Sequence, residues 1–282
     1  MEKPNSQRLK DLYSGEDGNG YVMITGSSDG IGKVVALDTA RSGFNLILVS
    51  RSQNKLEDVA QQCKEINPNI DVQTIPIDFS TAQPDQYKHI FTDQIQGKRV
   101  QVLMNVAGLN DQVKLFEVPP QHIQDMIKIN IFSQVFMTKY MREHVKQHKQ
   151  KSAFVHFSSI LSQMPLPFHA VYSGTKRFNQ VFGDCVAVSS NHWSKMRRQK
   201  QIDQLIVQPS GVTTNMTQYH EDPMFVKPGQ VSYGLLRDLG IKTQSNGAFW
   251  HQLQGDGTKY LPRPVINLVY KFFGNLEKAP YK

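Results

Sequence analysis

The sequence predicts a doubly wound α/β fold, one domain with a mostly parallel sheet and helices on both faces. Three observations predict it. Short apolar runs alternate with helical patterns along most of the 282 residues, a glycine-rich turn links the first run to the first helix, and two strand-helix-strand crossovers follow one another directly.

Residues 21–24 form the first apolar run, which stops at the turn 25–32; Ile31, Val34 and Val35 then open a helical pattern that closes near Gly43. The second run, NLILVS (45–50), leads into a polar helix over 53–66 and a third run over 72–77. Two successive crossovers of this kind demand parallel strands with right-handed connections. A helix near 84–95, a strand over 100–105 and a long helix carrying Ile123, Ile127, Ile131 and Val135 at four-residue spacing continue the alternation. A fifth strand covers 153–157, a helix 171–190 and a sixth strand 205–207. Residues 1–19 are expected as an N-terminal extension, 20–262 as the α/β domain, and 263–282 as an apolar helix and tail.

A hydrophobic fraction of 39% with 15 Phe and 10 Tyr excludes a disordered chain. The two cysteines, Cys63 and Cys185, stand far apart and in no ligand spacing, so neither a disulfide framework nor a metal site is expected, and a reducing intracellular compartment fits. Net charge of +8 speaks to association rather than fold. The densest basic stretch, 195–200, falls between two expected elements and no nucleic-acid motif accompanies it, so no nucleic-acid partner is expected. The first 20 residues hold four acidic side chains and no apolar core, unlike a signal or transit peptide. No run approaches the ~18 apolar residues of a membrane helix.

Ligands of such sheets sit beyond the carboxyl ends of the strands, which singles out the residues directly after each run. In TGSSDGIG (25–32), Gly26, Gly30 and Gly32 permit a tight turn, and with Ser28 and Ile31 they present backbone N–H groups to a pyrophosphate at a helix N-terminus. After the second strand, where NAD enzymes place an acid, stand Ser50 and Arg51. A guanidinium there can pair with a 2′-phosphate, so NADP(H) is the expected cofactor; the other reading of Arg51 is an exposed loop arginine. Asp78 in PIDFS is either an acceptor for the adenine amino group or a turn and cap residue. The fourth strand ends in MNVAG (104–108), whose Asn105, Ala107 and Gly108 join the expected cofactor-binding set, and the fifth ends in FSS (157–159). Tyr172 and Lys176 are four apart, hence on one helical face. A lysine beside a phenol lowers the phenol pKa and equips Tyr172 as a general acid or base, a role worth about 10²–10⁴ in rate.

Taken together, the turn 25–32, Asp78, 105–108, Asn130 in KINIFS, Ser159, Tyr172 with Lys176, and Pro209 with Val212 and Thr214 resemble the short-chain dehydrogenase/reductase family over residues 21–261. The resemblance implies a Rossmann fold and a catalytic tetrad. Tyr172 would exchange a proton with the substrate oxygen, Ser159 would hold that oxygen, Lys176 would bind the nicotinamide ribose, and Asn130 would hold a water linked to Lys176. PSGVTT (209–214) would lie against the carboxamide. DGIGK (29–33), SRSQNKL (50–56), PIDFS (76–80), MPLP (164–167), SNG (245–247) and LPR (261–263) are similar to the branch of very-long-chain beta-ketoacyl-CoA reductases and hydroxysteroid dehydrogenases. That branch implies reduction of an apolar carbonyl, a ketoacyl thioester or steroid-like ketone, near Met164, Leu166, Phe168 and Val171. Val106 and Ile160 depart from the family pattern.

The expected assembly is a homodimer or a membrane-associated monomer; the alternative is an accessory or structural subunit of a larger membrane-bound complex. Val265, Ile266, Leu268, Val269, Phe272 and Phe273, flanked by Arg263, Lys271 and Lys278, suit a membrane surface, a partner or a cover over the substrate pocket. The resemblance implies the endoplasmic reticulum, with a mitochondrion as alternative. Members of that branch usually carry an N-terminal membrane segment and often a dilysine end, and this sequence shows neither pattern, a departure that bears on residence in the endoplasmic reticulum; the expected membrane contact is peripheral, through the C-terminal helix.

Overall fold

The computed structural model describes residues 6–15, 17–110, 113–147, 150–164, 166, 168–197, 202–217, 219–220, 225–260, 262 and 264–265. Its strands are β1 (Tyr21–Thr25), β2 (Asn45–Ser50), β3 (Val72–Pro76), β4 (Val100–Asn105), β5 (Ser152–Phe157), β6 (Ile202–Val207) and β7 (Gln244–Ser245). They form one parallel sheet in the order β3-β2-β1-β4-β5-β6-β7. The order reverses between β1 and β4, and that switch point opens a crevice at the carboxyl ends of the strands.

The helices are α1 (Ser6–Tyr13), α2 (Gly30–Arg41), α3 (Gln53–Ile66), α4 (Pro84–His89), α5 (Pro120–Ile127), α6 (Ser133–Val145), α7 (Ala170–Arg197), α8 (Pro228–Asp238) and α9 (Phe249–Tyr260). Successive strand residues point to opposite faces, and here both faces are covered. Val22, Ile24, Leu46 and Leu48 join one core with Leu9, Val35, Leu56 and Leu235 of α1, α2, α3 and α8. Met23, Ile47, Val49 and Leu103 join the other with Tyr87 of α4 and Met137 and Met141 of α6. Burial on both sides is why these strands read as continuous apolar runs.

Several expectations change. The long fourth helix is three pieces, α5, a π turn at Lys128–Phe132, and α6. Its isoleucine stripe at 123, 127 and 131 is only half-buried, and the core side carries Met126, Asn130, Met137, Met141 and Val145. Helix α7 reaches Arg197, so the first half of the basic stretch lies in its last turn and not in a connection. No Gly or Pro interrupts 184–197 to end the helix sooner. Residues 1–19 contain α1, whose Leu9 and Tyr13 are buried. Arg8 donates to the carbonyls of Leu239 (2.7 Å), Leu236 (3.1 Å) and Arg237 (3.0 Å), capping the end of α8. Helices α8 and α9 and strand β7 add to the expected elements. The apolar helix expected over 263–275 lies, apart from Pro264 and Val265, outside the described residues. Among the described residues no helix is long and apolar enough to cross a membrane.

Candidate active site

The crevice at the switch point has a volume of ≈ 590 Å³ and is lined by Gly26, Ser28, Ser50, Arg51, Ser52, Lys55, Ile77, Asp78, Phe79, Ala107, Gly108, Leu109 and Ile129. That is the size of a small-ligand site. The turn after β1 passes close under β4: a Cβ on Gly26 would stand 2.8 Å from Ala107 Cα, and the φ of Gly26 is +67°. A Cβ on Gly32 would stand 2.1 Å from the Gly26 oxygen, so only glycine lets α2 start directly on the turn. Asp29 caps α2 by accepting from Gly30 N at 2.6 Å. Ser28 and Ser50 hydroxyls are 2.8 Å apart and tie the turn to the end of β2. Thr25 Oγ1 accepts from the N–H groups of Val106 and Ala107, each at 3.1 Å, and fixes the loop after β4.

Arg51 is 78% exposed and its guanidinium stands 3.9 Å from Asp78. Asp78 Oδ1 accepts from the backbone N–H (2.9 Å) and hydroxyl (2.7 Å) of Ser80, closing the turn after β3. Burial works to raise this carboxyl, but the Ser80 bonds and the Arg51 charge outweigh it and hold it below its ordinary value. Asp78 therefore serves as a turn residue and also faces the crevice. Asn105 does not face it: the side chain is buried and donates to Thr138 Oγ1 at 3.1 Å. Lys55, in the first turn of α3, adds a second cation beside Arg51. Its only signal in the sequence is its place in SRSQNKL, four residues after the arginine.

Beyond the crevice the remaining site residues converge. Ser159 is the polar neighbour of Tyr172 that favours its charged form. Ser159 Oγ donates to the Pro209 oxygen at 3.3 Å, and Ile160 N bonds the same oxygen at 3.0 Å, which ties the segment after β6 to the end of β5. Lys176 is buried and donates to the Phe157 oxygen at 3.2 Å. A Cβ on Gly108 would stand 3.2 Å from Lys176 Nζ and 3.5 Å from Asn130 Oδ1. Asn130 clamps the loop after β4 to α7: it accepts from Leu109 N (2.7 Å) and donates to Leu109 O (2.8 Å) and Thr175 Oγ1 (2.9 Å). Thr214 overhangs the glycine turn, with Cγ2 3.4 Å from a Cβ placed on Gly30, while Val212 is buried and bridges to Val226.

The electrostatics differ from the expected lowering of the phenol pKa. Burial pushes Tyr172 up to about 12, with Ser159 pulling the other way, and burial pushes Lys176 down to about 8. The ammonium sits over the tyrosine ring, 5.5 Å from its centroid, and not at the hydroxyl. Desolvation therefore wins for both groups.

On the other side of Tyr172 lies a small pocket walled by Val113, Leu115, Val118, Met126, Phe168, His169, Ala170 and Val171. Phe168 and Val171 stand where expected; Met164 and Leu166 are not in this wall. Phe168 has φ +67°, a left-handed conformation that costs a bulky residue energy and marks a constrained approach to Tyr172. His169 bonds Asn110 at 3.2 Å and packs edge-on to the Tyr172 ring. Among the described residues no cluster of His, Cys, Asp or Glu could hold a metal.

The crevice fits a dinucleotide: a glycine cradle that any side chain would fill, helix N–H groups at one end, and two cations at the other. Comparison with known proteins gives the same answer. The model of the family described as short chain dehydrogenase matches residues 20–224. The human very-long-chain 3-oxoacyl-CoA reductase is 30% identical over 267 residues, 93% of this chain and 81% of that protein. Human 17-beta-hydroxysteroid dehydrogenase type 3 is 31% identical over 201 residues, 71% of this chain and 61% of that protein. A solved structure from work on 7beta-hydroxysteroid dehydrogenase stereoselectivity shares the fold with a TM-score of 0.78 at 17% identity, covering 94% of this chain and 99% of the other. The chain belongs to the short-chain dehydrogenase family, and it is an oxidoreductase built for a nicotinamide cofactor, similar to the branch that holds 3-oxoacyl-CoA reductases and hydroxysteroid dehydrogenases.

Proposed function

We propose that this chain reduces an apolar ketone, a ketoacyl thioester or a steroid-like ketone, with NADPH. The observation that carries the reading is the convergence of Tyr172, Ser159, Lys176 and Asn130 between the dinucleotide crevice and an apolar pocket. When bound, NADPH supplies the hydride. Tyr172 Oη gives its proton to the substrate carbonyl oxygen, and a phenol raised to about 12 is fully protonated at neutral pH, as a donor must be. Ser159 Oγ, the polar neighbour of Tyr172, would turn from the Pro209 oxygen to hold the same substrate oxygen. Lys176, at about 8, remains largely an ammonium at pH 7 and would hold the nicotinamide ribose; Asn130 keeps the loop of Gly108 and Leu109 in place beside it.

At the other end, Arg51 and Lys55 would favour a 2′-phosphate, and Asp78, which lines the same crevice, would accept from the adenine amino group. The apolar side chains beside Tyr172, among them Phe168 and Val171, favour a hydrocarbon substrate. The apolar, cation-flanked sequence over 263–275 favours peripheral contact with a membrane surface. The test is NADPH oxidation by the purified chain over a carbonyl panel that includes 3-oxoacyl thioesters, steroid ketones and small polar ketones. Turnover restricted to apolar members is expected. Binding of NADPH without turnover of any member would remove the reading.

A further inference from the structure

Asn179 stands three residues beyond Lys176 on α7, so the two side chains share a helical face. It is 1% exposed. Its amide donates to the main-chain oxygen of Asn130 at 3.0 Å and to that of Phe157 at 3.3 Å. Lys176 Nζ donates to the same Phe157 oxygen at 3.2 Å. One carbonyl at the end of β5 thus receives both the ammonium and the amide, and the amide also pins the peptide whose side chain clamps Leu109. Asn179 Oδ1 is buried without a partner among the described residues. A buried acceptor left unpaired costs stability, and a leucine would fill an inward helix position at no such cost. A polar group kept there points to work on its neighbours.

We propose that Asn179 is a positioning residue for Lys176: its amide fixes the Phe157 carbonyl that receives the ammonium and ties it to the Asn130 peptide, and its oxygen, buried without a partner among the described residues, stands on the same helical face as the lysine. The inference rests on the reading of Lys176 as part of the reductase site. Lys176 makes no ion pair among the described residues, and burial alone drives its pKa down to about 8, so a nearby dipole has a large effect. The titratable groups nearby are Tyr172 on α7, whose ring lies beneath the ammonium, and His156 on β5, which instead faces Phe182 and Gln204. Ser159 and Asn130 are neutral.

Carbon-13 labelled lysine in the full chain, without cofactor or substrate, reports the Lys176 titration directly. Asn179→Asp keeps the shape and adds a carboxylate, and should raise the Lys176 midpoint by about one unit or more. Asn179→Leu replaces the dipole with hydrocarbon and should lower it. The basic limb of the kcat pH profile should follow in the same two directions, with kcat down about tenfold in Asn179→Leu and KM changed less than about twofold. Titrations that coincide with wild type, or that shift the same way in both folded variants, make Asn179 a packing residue and overturn the proposal. Should the aspartate variant fail to fold, the leucine variant decides by the presence or absence of the downward shift. The titration needs no turnover, so opposed shifts in a chain that reduces no carbonyl would sustain the role of Asn179 while removing the reductase reading.

Discussion

Lys176 Nζ lies 5.5 Å from the centroid of the Tyr172 ring and bonds the Phe157 carbonyl, so its charge meets the face of the phenol and not its oxygen. The two groups share a site without sharing a proton. Protonated phenol and protonated lysine coexist at neutral pH, an arrangement suited to the reductive direction.

Tyr172→Phe keeps the ring packed and removes only the oxygen. Turnover of an apolar ketone should fall by about 10²–10⁴ while NADPH affinity, measured separately by fluorescence titration, stays unchanged. Lys176→Ala should damage both. In the wild type, the reduction rate should decline as pH rises through about 8, where Lys176 loses its proton. A rate flat to pH 10 would separate Lys176 from the reaction.

Arg51 and Lys55 are the two cations that line the crevice. A hydrogen bond to a charged group contributes about 1.5–3 kcal/mol, so Arg51→Ala should weaken NADPH about 10- to 100-fold and NADH hardly at all. The double variant with Lys55→Ala should bind both cofactors alike. Equal losses for NADH and NADPH in Arg51→Ala would show that the arginine reads no phosphate.

Most of the sheet is legible in the sequence because its strands are buried on both faces and stand out as apolar runs between turn residues; 45–50 and 100–105 match β2 and β4 at both ends. Helix α1 is not legible. SQRLKDLY is mostly polar, and Leu9 and Tyr13 are buried only because Arg8 finds the end of α8 and Tyr13 finds Asp203, partners more than 180 residues away. At the site, spacing brings Tyr172 and Lys176 to one face but does not say where a flexible ammonium points, which is why the phenol pKa moves opposite to expectation. Asn179 escapes notice for a similar reason: an asparagine three residues after a lysine looks like any surface polar residue until Asn130 and Phe157 close around it. Asn105 shows the reverse, a motif residue whose side chain turns to Thr138 and leaves only Ala107 and Gly108 at the crevice.

The sequence over 263–275 can be removed by truncation after Leu261. Flotation with anionic vesicles should lose the truncated chain and retain the full one, since apolar side chains and flanking cations both favour such a surface. Equal flotation of the two chains would assign membrane contact elsewhere or to none.

His156 stands one residue before the end of β5, fully buried, with Nε2–H donating to Gln204 at 3.0 Å and the ring edge-on to Phe182. Burial pushes its pKa down to about 4, the Gln204 bond opposing, so the folded chain keeps it neutral where the unfolded chain, near 6.5, takes up a proton. Stability is therefore complete above pH 6.5 and falls as pH drops toward 4, by on the order of 3 kcal/mol for this group. Urea unfolding at pH 7, 5.5 and 4.5 reads the slope. His156→Leu should flatten it over that window, whatever it does to stability at pH 7; an unchanged slope would move the acid sensitivity to the carboxylates.

The last expectation concerns the N-terminal segment, which holds the fold together at the edge far from the crevice. Leu9 and Tyr13 are each 1% exposed, Arg8 satisfies three carbonyls at the end of α8, and the Tyr13 hydroxyl donates to Asp203, itself paired with Lys151 at 2.8 Å. Truncating a buried leucine to alanine costs about 2–5 kcal/mol, so Leu9→Ala should lower the melting temperature by roughly 5 °C or more. Arg8→Ala leaves three helix-end carbonyls without their donor and should lower it further in the double variant, with additivity incomplete because both act through α1. Cofactor affinity at 20 °C should not change in either, since the long-range bonds of α1 run to the end of α8 and to Asp203 and not to the crevice lining. Removal of residues 1–19 with no loss of melting temperature would show that the helix adds nothing to the domain.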